Sequence, residues 1–204
     1  MVGLVEDAGR TAVAVPGDLS DEATCLQVVE RAASELGRID VLVVNAARQT
    51  AVPEIAELTS EQFDQTLKTN VYVMFWLCKA ALPHMTAGGS IITGSSVQAY
   101  DPSPNLLDYA TTKAAINTFS KALAQQLGPK GIRVNVVAPG PVWTPLQVSD
   151  GQPEEKLPEF GAQTPLGRAG QPAELAPPYV FLASQESSYV SGATLSVTGG
   201  MPTP

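Results

Sequence analysis

The chain has 204 residues, of which 44% are hydrophobic and 16% charged, so it has the length and apolar content of one globular domain. Its net charge of −8 argues against nucleic acid as a partner, because nucleic-acid phosphates are bound by clustered lysine and arginine. The single histidine, His84, excludes a multi-histidine metal site. Cys25 and Cys78 both fall in apolar helical patterns, which suits reduced, buried thiols.

The sequence contains no pattern typical of membrane insertion or secretion. Residues 1–10 lack the basic start and the apolar core of a signal peptide. The longest apolar stretch, Val71–Leu82, is too short to span a bilayer. We therefore expect a soluble, cytoplasmic protein that does not contact membranes.

Strand and helix patterns alternate from the start of the chain. Thr11–Val15 is a β-branched run that predicts a strand. A helix should follow, with Ser20 as its N-cap and Gly37 as its stop. Its apolar face would consist of Leu26, Val29, Ala33 and Leu36. The continuously apolar run Val41–Val44 predicts a strand that is covered on both faces.

Two long helices are predicted next. Thr59 and Gln62 form a capping box that should open a helix ending near Leu82. The second helix should span Asp108–Leu127 and end at Gly128. The remaining predicted elements are strands at Ser90–Thr93, Ile132–Val137 and Ala193–Val197, a mobile Pro-rich flap at Gln147–Thr164, and a helix at Ala173–Ser184. Repeated strand–helix units predict an α/β fold, a doubly wound parallel sheet with helices on both faces.

Tyr109 and Lys113 are the first candidates for chemistry, because residues four apart share one face of a helix. An ammonium beside a phenol stabilises the phenolate, so we expect Lys113 to lower the pKa of Tyr109. Tyr109 would then exchange a proton near neutral pH. The spacing is common, and the alternative interpretation is a surface tyrosine beside a solvated lysine.

Two further polar residues accompany this pair. Ser96 lies just beyond a predicted strand, at the sheet edge where open α/β folds bind ligands, and its hydroxyl could bond a substrate carbonyl. Ser95 is adjacent and could take the same role. Asn70 lies inside a helical pattern, where asparagine is unfavourable, and could bond a backbone carbonyl or hold a water near the lysine. Alone, these residues are equally consistent with a turn serine and an exposed amide.

Asn70, Ser96, Tyr109 and Lys113, in this order, resemble the catalytic tetrad of the short-chain dehydrogenase/reductase family. The resemblance covers essentially the whole chain and implies a Rossmann-like fold and a dehydrogenase or reductase that uses NAD or NADP. It also implies the roles of these residues. Tyr109 exchanges a proton with the substrate oxygen, Ser96 orients that oxygen, Lys113 tunes Tyr109 and touches the nicotinamide ribose, and Asn70 supports a proton relay.

Other segments resemble the cofactor-binding regions of that family. Asp18-Leu19 is similar to the pair that meets the adenine. Asn45-Ala46-Ala47 resembles the segment that supports the central sheet, although Val44 and Ala47 stand where the family has Asn and Gly. The segments that resemble the region around the nicotinamide are Arg133-Val134-Asn135, Pro139-Gly140 and Val142-Trp143-Thr144, in which Pro139, Gly140, Val142 and Thr144 would contact the cofactor. Residues 97–102 and 141–146 further resemble a bacterial subgroup of general oxidoreductases.

One part of the family pattern has no counterpart in the sequence. The glycine-rich turn that binds the cofactor pyrophosphate is not found, and Thr11–Val15 would correspond to the third strand of a complete member. We therefore expect a single Rossmann-like domain, residues 1–204, without the family's first strand, turn, first helix and second strand.

Three interpretations of the activity are considered. The first is an NAD(P)-dependent enzyme acting on a small carbonyl or alcohol, whose substrate and choice between NAD and NADP are not readable from the sequence. The second is a truncated, non-catalytic protein or gene fragment that retains the oligomer surfaces. A hydrolase using Ser96 is disfavoured, because His84 has no motif near it. The resemblance also implies a homodimer or homotetramer formed through the two long helices.

Overall fold

The computed structural model describes residues 2–152 and 154–203, so Met1, Pro153 and Pro204 lie outside the described residues. Its strands are β1 Val41–Val44, β2 Ser90–Gly94, β3 Arg133–Pro139 and β4 Thr194–Val197. Its α-helices are α1 Val2–Asp7, α2 Glu22–Leu36, α3 Ser60–Leu67, α4 Val73–Ala81, α5 Leu107–Leu127 and α6 Pro172–Ala183. None of the helices in these two ranges is long and apolar enough to cross a bilayer.

The four strands form one parallel sheet in the order β1-β2-β3-β4. Ile91 pairs with Val134, and both contribute to a core that also contains residues of α2, α4 and α5. Ile92 and Val137 project to the opposite face, where they pack with Leu182 of α6. Side chains alternate along a strand, so the two core clusters lie on opposite faces of the sheet, and each is packed against helices. The predicted doubly wound α/β fold is therefore confirmed.

The strand predicted at Thr11–Val15 is wrong, since these residues have no regular secondary structure. β-branched residues favour the extended conformation, but a strand also needs a neighbour to bond its backbone groups. Within the described ranges the sheet has no strand beyond β1, so β1 is an edge and Thr11–Val15 has no strand to pair with.

β1 itself is only half covered, which corrects the prediction of a strand buried on both faces. Val41 is 39% exposed and Val43 is 44% exposed, whereas Val44 is buried. Val41 and Val43 share one face of the sheet, so an apolar strip is left open there. A continuous apolar run predicted the strand correctly but not how many of its faces are covered.

The helices follow the predicted pattern with local differences. The N-cap of α2 is Asp21, not Ser20, and its buried face is Cys25, Val29 and Ala33, while Leu26 and Leu36 are exposed. Thr59 caps α3 as predicted, with its hydroxyl accepting from the Gln62 amide. The helix from Thr59 to Leu82 is not continuous, because a π-helical turn at Lys68–Tyr72 separates α3 from α4.

Two buried polar side chains at the start of β3 connect the sheet to the end of the chain. The Arg133 guanidinium donates to the carbonyls of Leu182 and Ser184 and to the Ser187 hydroxyl. The Asn135 amide donates to the Val190 carbonyl and accepts from the Ala193 amide. These hydrogen bonds place β4 beside β3 and account for two polar residues in an otherwise apolar strand.

Candidate functional site

A cavity of about 1010 Å³ opens at the carboxyl edge of the sheet, beside the last residues of β2 and β3. Ligands bind at this edge in open α/β folds. Three members of the predicted tetrad line it: Ser96, Tyr109 and Lys113. Five residues expected at the cofactor line it too: Asn45, Pro139, Gly140, Val142 and Thr144.

Tyr109 lies in the first turn of α5, and hydrogen bonds fix its position. The buried Asp108 carboxylate accepts from the Tyr109 amide at 2.7 Å and from the Thr66 hydroxyl at 2.7 Å. The Thr112 hydroxyl donates to the Tyr109 carbonyl at 2.7 Å. The start of α5 is thereby held against α3, and the phenol is held within the cavity wall.

Ser96 and Ser95, which the sequence left as alternatives, have different partners. The Ser95 hydroxyl donates to the Lys113 backbone carbonyl at 3.0 Å and connects β2 to α5. The Ser96 hydroxyl accepts from the Gln98 amide at 3.2 Å and hydrogen-bonds the Tyr109 side chain. Ser96 is therefore the serine that shares a polar site with Tyr109.

Lys113 is buried, and its ammonium donates to the Gly94 carbonyl at 2.7 Å. Its Nζ lies 5.3 Å from the centre of the Tyr109 ring. Burial lowers the pKa of Lys113 to about 8 and raises the pKa of Tyr109 to about 12, while the hydrogen bond from Ser96 offsets part of the rise. The net shift of the Tyr109 pKa is therefore upward, because desolvation of the phenol dominates.

Asn70 lies in the π-helical turn between α3 and α4, and its side chain is fully occupied. Its Oδ1 accepts from the Arg48 amide at 2.7 Å, and its Nδ2 donates to the Arg48 carbonyl and to the Thr112 hydroxyl. Among the hydrogen bonds of the described residues, Asn70 is connected to Tyr109 only through Thr112. The hydrogen bonds of Thr112 with Asn70 and with the Tyr109 carbonyl were not predicted, although Thr112 lies on the same helix as Tyr109 and Lys113.

Tyr179 of α6 is a further cavity residue that the sequence analysis did not identify. Its hydroxyl donates to Asn45 Oδ1 at 3.2 Å and lies 3.6 Å from the position that a Cβ at Gly94 would occupy. Burial raises the pKa of Tyr179. No local motif marks this residue, because its neighbours are Asn45, directly after β1, and Gly94, the last residue of β2.

Several residues expected at the cofactor lie elsewhere. Asp18 is exposed, and its carboxylate accepts from the Ser20 amide at 2.9 Å, which lowers the Asp18 pKa. Leu19 and Ala46 pack against the core. Arg133 and Asn135 bond the backbone between Leu182 and Ala193. None of these residues lines the cavity in the described part of the chain.

The residues that line the cavity have the polar groups and the shape that suit the nicotinamide half of a dinucleotide. Gly140, which lines the cavity, packs closely against the backbone of Thr198, where a Cβ would lie only 2.7 Å from the Thr198 Cα. Asn45, Lys113 and Thr144 offer polar groups to ribose and carboxamide. Lys113 is the only basic residue that lines the cavity within residues 2–152 and 154–203, so this lining offers no other cation to the cofactor pyrophosphate.

The depressed pKa of Lys113 predicts a specific pH dependence of stability. Between about pH 8 and pH 10.5 the unfolded lysine keeps a proton that the folded chain lacks, so stability rises with pH. Urea unfolding should show that Lys113→Met removes a gain of about 2 kcal/mol between pH 7 and pH 9.5. Lys121→Met, at an exposed position of the same helix, is the control and should keep that gain. The same pH dependence in both variants would contradict the assignment.

Comparison with known proteins gives a consistent result. The family model described as enoyl-(acyl carrier protein) reductase matches residues 2–202. The uncharacterized oxidoreductase YghA of Escherichia coli is 57% identical over 197 residues, which cover 97% of this chain and 67% of the relative. The Arabidopsis thaliana NADPH-dependent aldehyde reductase 1 is 47% identical over 92% of this chain and 65% of its own length.

Solved structures show the same relationship. A short-chain dehydrogenase from Burkholderia cenocepacia, crystallised with NADP, superposes with a TM-score of 0.89 at 30% identity, over 98% of this chain and 80% of the other. The chain is thus shorter than the proteins it matches, and the match runs over nearly all of it. The chain belongs to the short-chain dehydrogenase/reductase family.

Proposed function

We propose that this chain exchanges a hydride between NAD or NADP and a carbonyl or alcohol substrate, with Tyr109 as general acid and base. The observation that supports it most is the convergence of Ser96, Tyr109 and Lys113, which are themselves buried, on one cavity at the carboxyl edge of the sheet. The name of the Arabidopsis relative and the NADP in the Burkholderia structure agree with this reaction.

The chain's own residues supply proton transfer and orientation. With its pKa near 12, Tyr109 is protonated at neutral pH and is ready to donate to a substrate oxygen during reduction. Ser96 would bind the same substrate oxygen through its hydroxyl, which hydrogen-bonds the Tyr109 side chain in this structure. Asn70 positions Tyr109 indirectly, through Thr112 and the first turn of α5.

The cofactor would lie between β1, β3 and α5. Asn45, Lys113 and Thr144 would hold its ribose and carboxamide, and Pro139, Gly140 and Val142 would form the wall beside the ring. When bound, the nicotinamide supplies or accepts the hydride. The buried floor, which includes Ser95 and Lys113, would exclude water from the reacting atoms.

The helical segment 60–81 and helix α5 also support a proposal about assembly. Tyr72, Phe75 and Leu107 are each more than 40% exposed, whereas Trp76 and Phe119 pack against the core. Large apolar side chains left open on neighbouring helices are typical of subunit contacts. We expect a homodimer or homotetramer, acting as a soluble cytoplasmic enzyme with no nucleic-acid or membrane partner.

The second candidate is a family member without catalytic activity. It is favoured by the shortage of groups among the described lining residues that could bind the cofactor's adenine and pyrophosphate. Asp18 and Leu19, expected at the adenine, do not line the cavity, and no arginine lines it in the described ranges. Such a protein would keep the fold and the helix surfaces without useful cofactor affinity.

The first prediction concerns the proton donor. Tyr109→Phe keeps the ring and removes the hydroxyl, so turnover of short aldehydes at saturating NADPH should fall by about 10² or more. Tyr189→Phe is the matched control, because Tyr189 is fully exposed, and it should retain wild-type turnover. Circular dichroism of both variants establishes folding. Equal turnover of folded Tyr109→Phe and wild type would refute the assignment.

The second prediction concerns the affinity for the cofactor. Lys113 is the only basic side chain among the described lining residues, so several charge-assisted hydrogen bonds to the cofactor pyrophosphate would be missing. Each such bond contributes about 1.5–3 kcal/mol to the binding free energy. Calorimetric titration of residues 1–204 with NADH and NADPH should give dissociation constants above about 100 µM. A low micromolar constant for either dinucleotide would show that the cavity as described is sufficient, and would exclude the non-catalytic candidate.

A further inference from the structure

We propose that Tyr179 is a cofactor-binding residue, whose phenol hydroxyl donates a hydrogen bond to the phosphate attached to the nicotinamide ribose. This inference rests on the proposed function and adds a binding residue to it. Tyr179 lies on α6 and lines the cavity, but it belongs to none of the segments that resemble the family's cofactor-binding regions. Its hydroxyl would compensate in part for the shortage of basic side chains in the described lining.

The apolar face of α6 determines where Tyr179 points. Leu175, Tyr179 and Leu182 are spaced so that they lie on one face of the helix, and all three pack in the cluster on that side of the sheet. The Tyr179 ring is thus held among apolar side chains, while its hydroxyl reaches Asn45 at the polar carboxyl edge. A tyrosine is suited to such a boundary because its ring is apolar and its end is polar.

Hydrogen bonds near both ends of α6 hold the helix in place. In its first turn the Glu174 carboxylate accepts from the Arg168 guanidinium at 2.7 and 2.8 Å. In its last turn the Leu182 carbonyl accepts from the Ser90 hydroxyl at 2.9 Å. Tyr179 lies between these two anchors, so its hydroxyl is preorganised and loses little conformational freedom when a ligand binds.

The Tyr179 hydroxyl is adjacent to two of the residues that the proposed function assigns to the nicotinamide ribose and carboxamide. It donates to Asn45 Oδ1 at 3.2 Å. It also lies 3.6 Å from the position of a Cβ at Gly94, whose carbonyl accepts from the Lys113 ammonium at 2.7 Å. Because the ribose of the dinucleotide carries the pyrophosphate, a donor beside these residues would be within reach of the first phosphate.

The chemistry of a phenol suits this phosphate. Burial raises the pKa of Tyr179, so its hydroxyl keeps its proton at neutral pH and can donate to a phosphate oxygen. On binding, the hydroxyl would exchange its bond to the neutral Asn45 oxygen for a bond to an anionic oxygen, which is stronger. Tyr179 carries no charge, so placing it in the cavity wall avoids the cost of burying an ammonium or guanidinium.

The test compares two ligands that differ only in this phosphate. Reduced nicotinamide mononucleotide carries it, and reduced nicotinamide riboside lacks it. Saturation-transfer NMR titrations with residues 1–204 give both dissociation constants without turnover. Wild type should bind the mononucleotide about tenfold more tightly than the riboside, which is the value of about one hydrogen bond to a charged group. Tyr179→Phe should weaken the mononucleotide about tenfold and leave the riboside unchanged.

The matched control is Tyr189→Phe, the same change at a fully exposed position, and it should leave both dissociation constants unchanged. Circular dichroism establishes that both variants are folded. Equal weakening of the two ligands in Tyr179→Phe would overturn the phosphate contact, as would a wild type that binds the mononucleotide no better than the riboside. Tighter binding of the mononucleotide by Tyr179→Phe would show that the bond to Asn45 competes with the cofactor, and would also overturn the proposal.

A titration with NADPH separates this inference from the proposed function. Tyr179→Phe should raise the dissociation constant of NADPH by about tenfold. An unchanged constant would overturn this inference alone, because the bound cofactor could still exchange a hydride beside Tyr109. No binding of NADPH to wild type at millimolar concentration would contradict both the inference and the proposed function.

Discussion

The junction between the end of β2 and the middle of α5 determines the geometry of the whole site. The Lys113 ammonium bonds the Gly94 carbonyl, the Ser95 hydroxyl bonds the Lys113 carbonyl, and the Thr93 hydroxyl lies 2.8 Å from the Ser120 hydroxyl. All of these groups are buried, so losing any one of them would leave a polar partner unsatisfied in the interior. This junction sets the distance between Ser96 on the strand side and Tyr109 on the helix side, on which proton transfer depends.

Burial shifts the pKa values of Tyr109 and Lys113, both in α5, in opposite directions. It raises the pKa of Tyr109 to about 12 and lowers that of Lys113 to about 8, so near neutral pH the phenol stays protonated and the amine is still mostly charged. A protonated tyrosine suits reduction of a carbonyl, in which the substrate oxygen must gain a proton. The same desolvation strengthens the hydrogen bonds that hold the site together, because buried polar groups interact at a low dielectric constant.

The sequence predicted the parts of the molecule that local patterns determine. The strands around Val41–Val44 and Ser90–Gly94, the Thr59 cap and the helix ending at Leu127 follow from apolar periodicity and capping chemistry. Tyr109 and Lys113 could be paired because their spacing on one helix face is local. Features that depend on tertiary contacts were not predictable in this way. Examples are the failure of Thr11–Val15 to form a strand, the open face of Val41 and Val43, and the bond from Tyr179 to Asn45.

The central claim is that this cavity carries out hydride transfer, and the direct measurement is isotopic. The chain is incubated with glyceraldehyde and millimolar NADPH in which both hydrogens at C4 of the nicotinamide are replaced by deuterium, and the alcohol product is analysed by mass spectrometry. The account predicts one deuterium in the product, bound to the former carbonyl carbon, and a strong reduction of this signal in Tyr109→Phe. No deuterated alcohol at any cofactor concentration, or equal labelling in Tyr109→Phe, would contradict it.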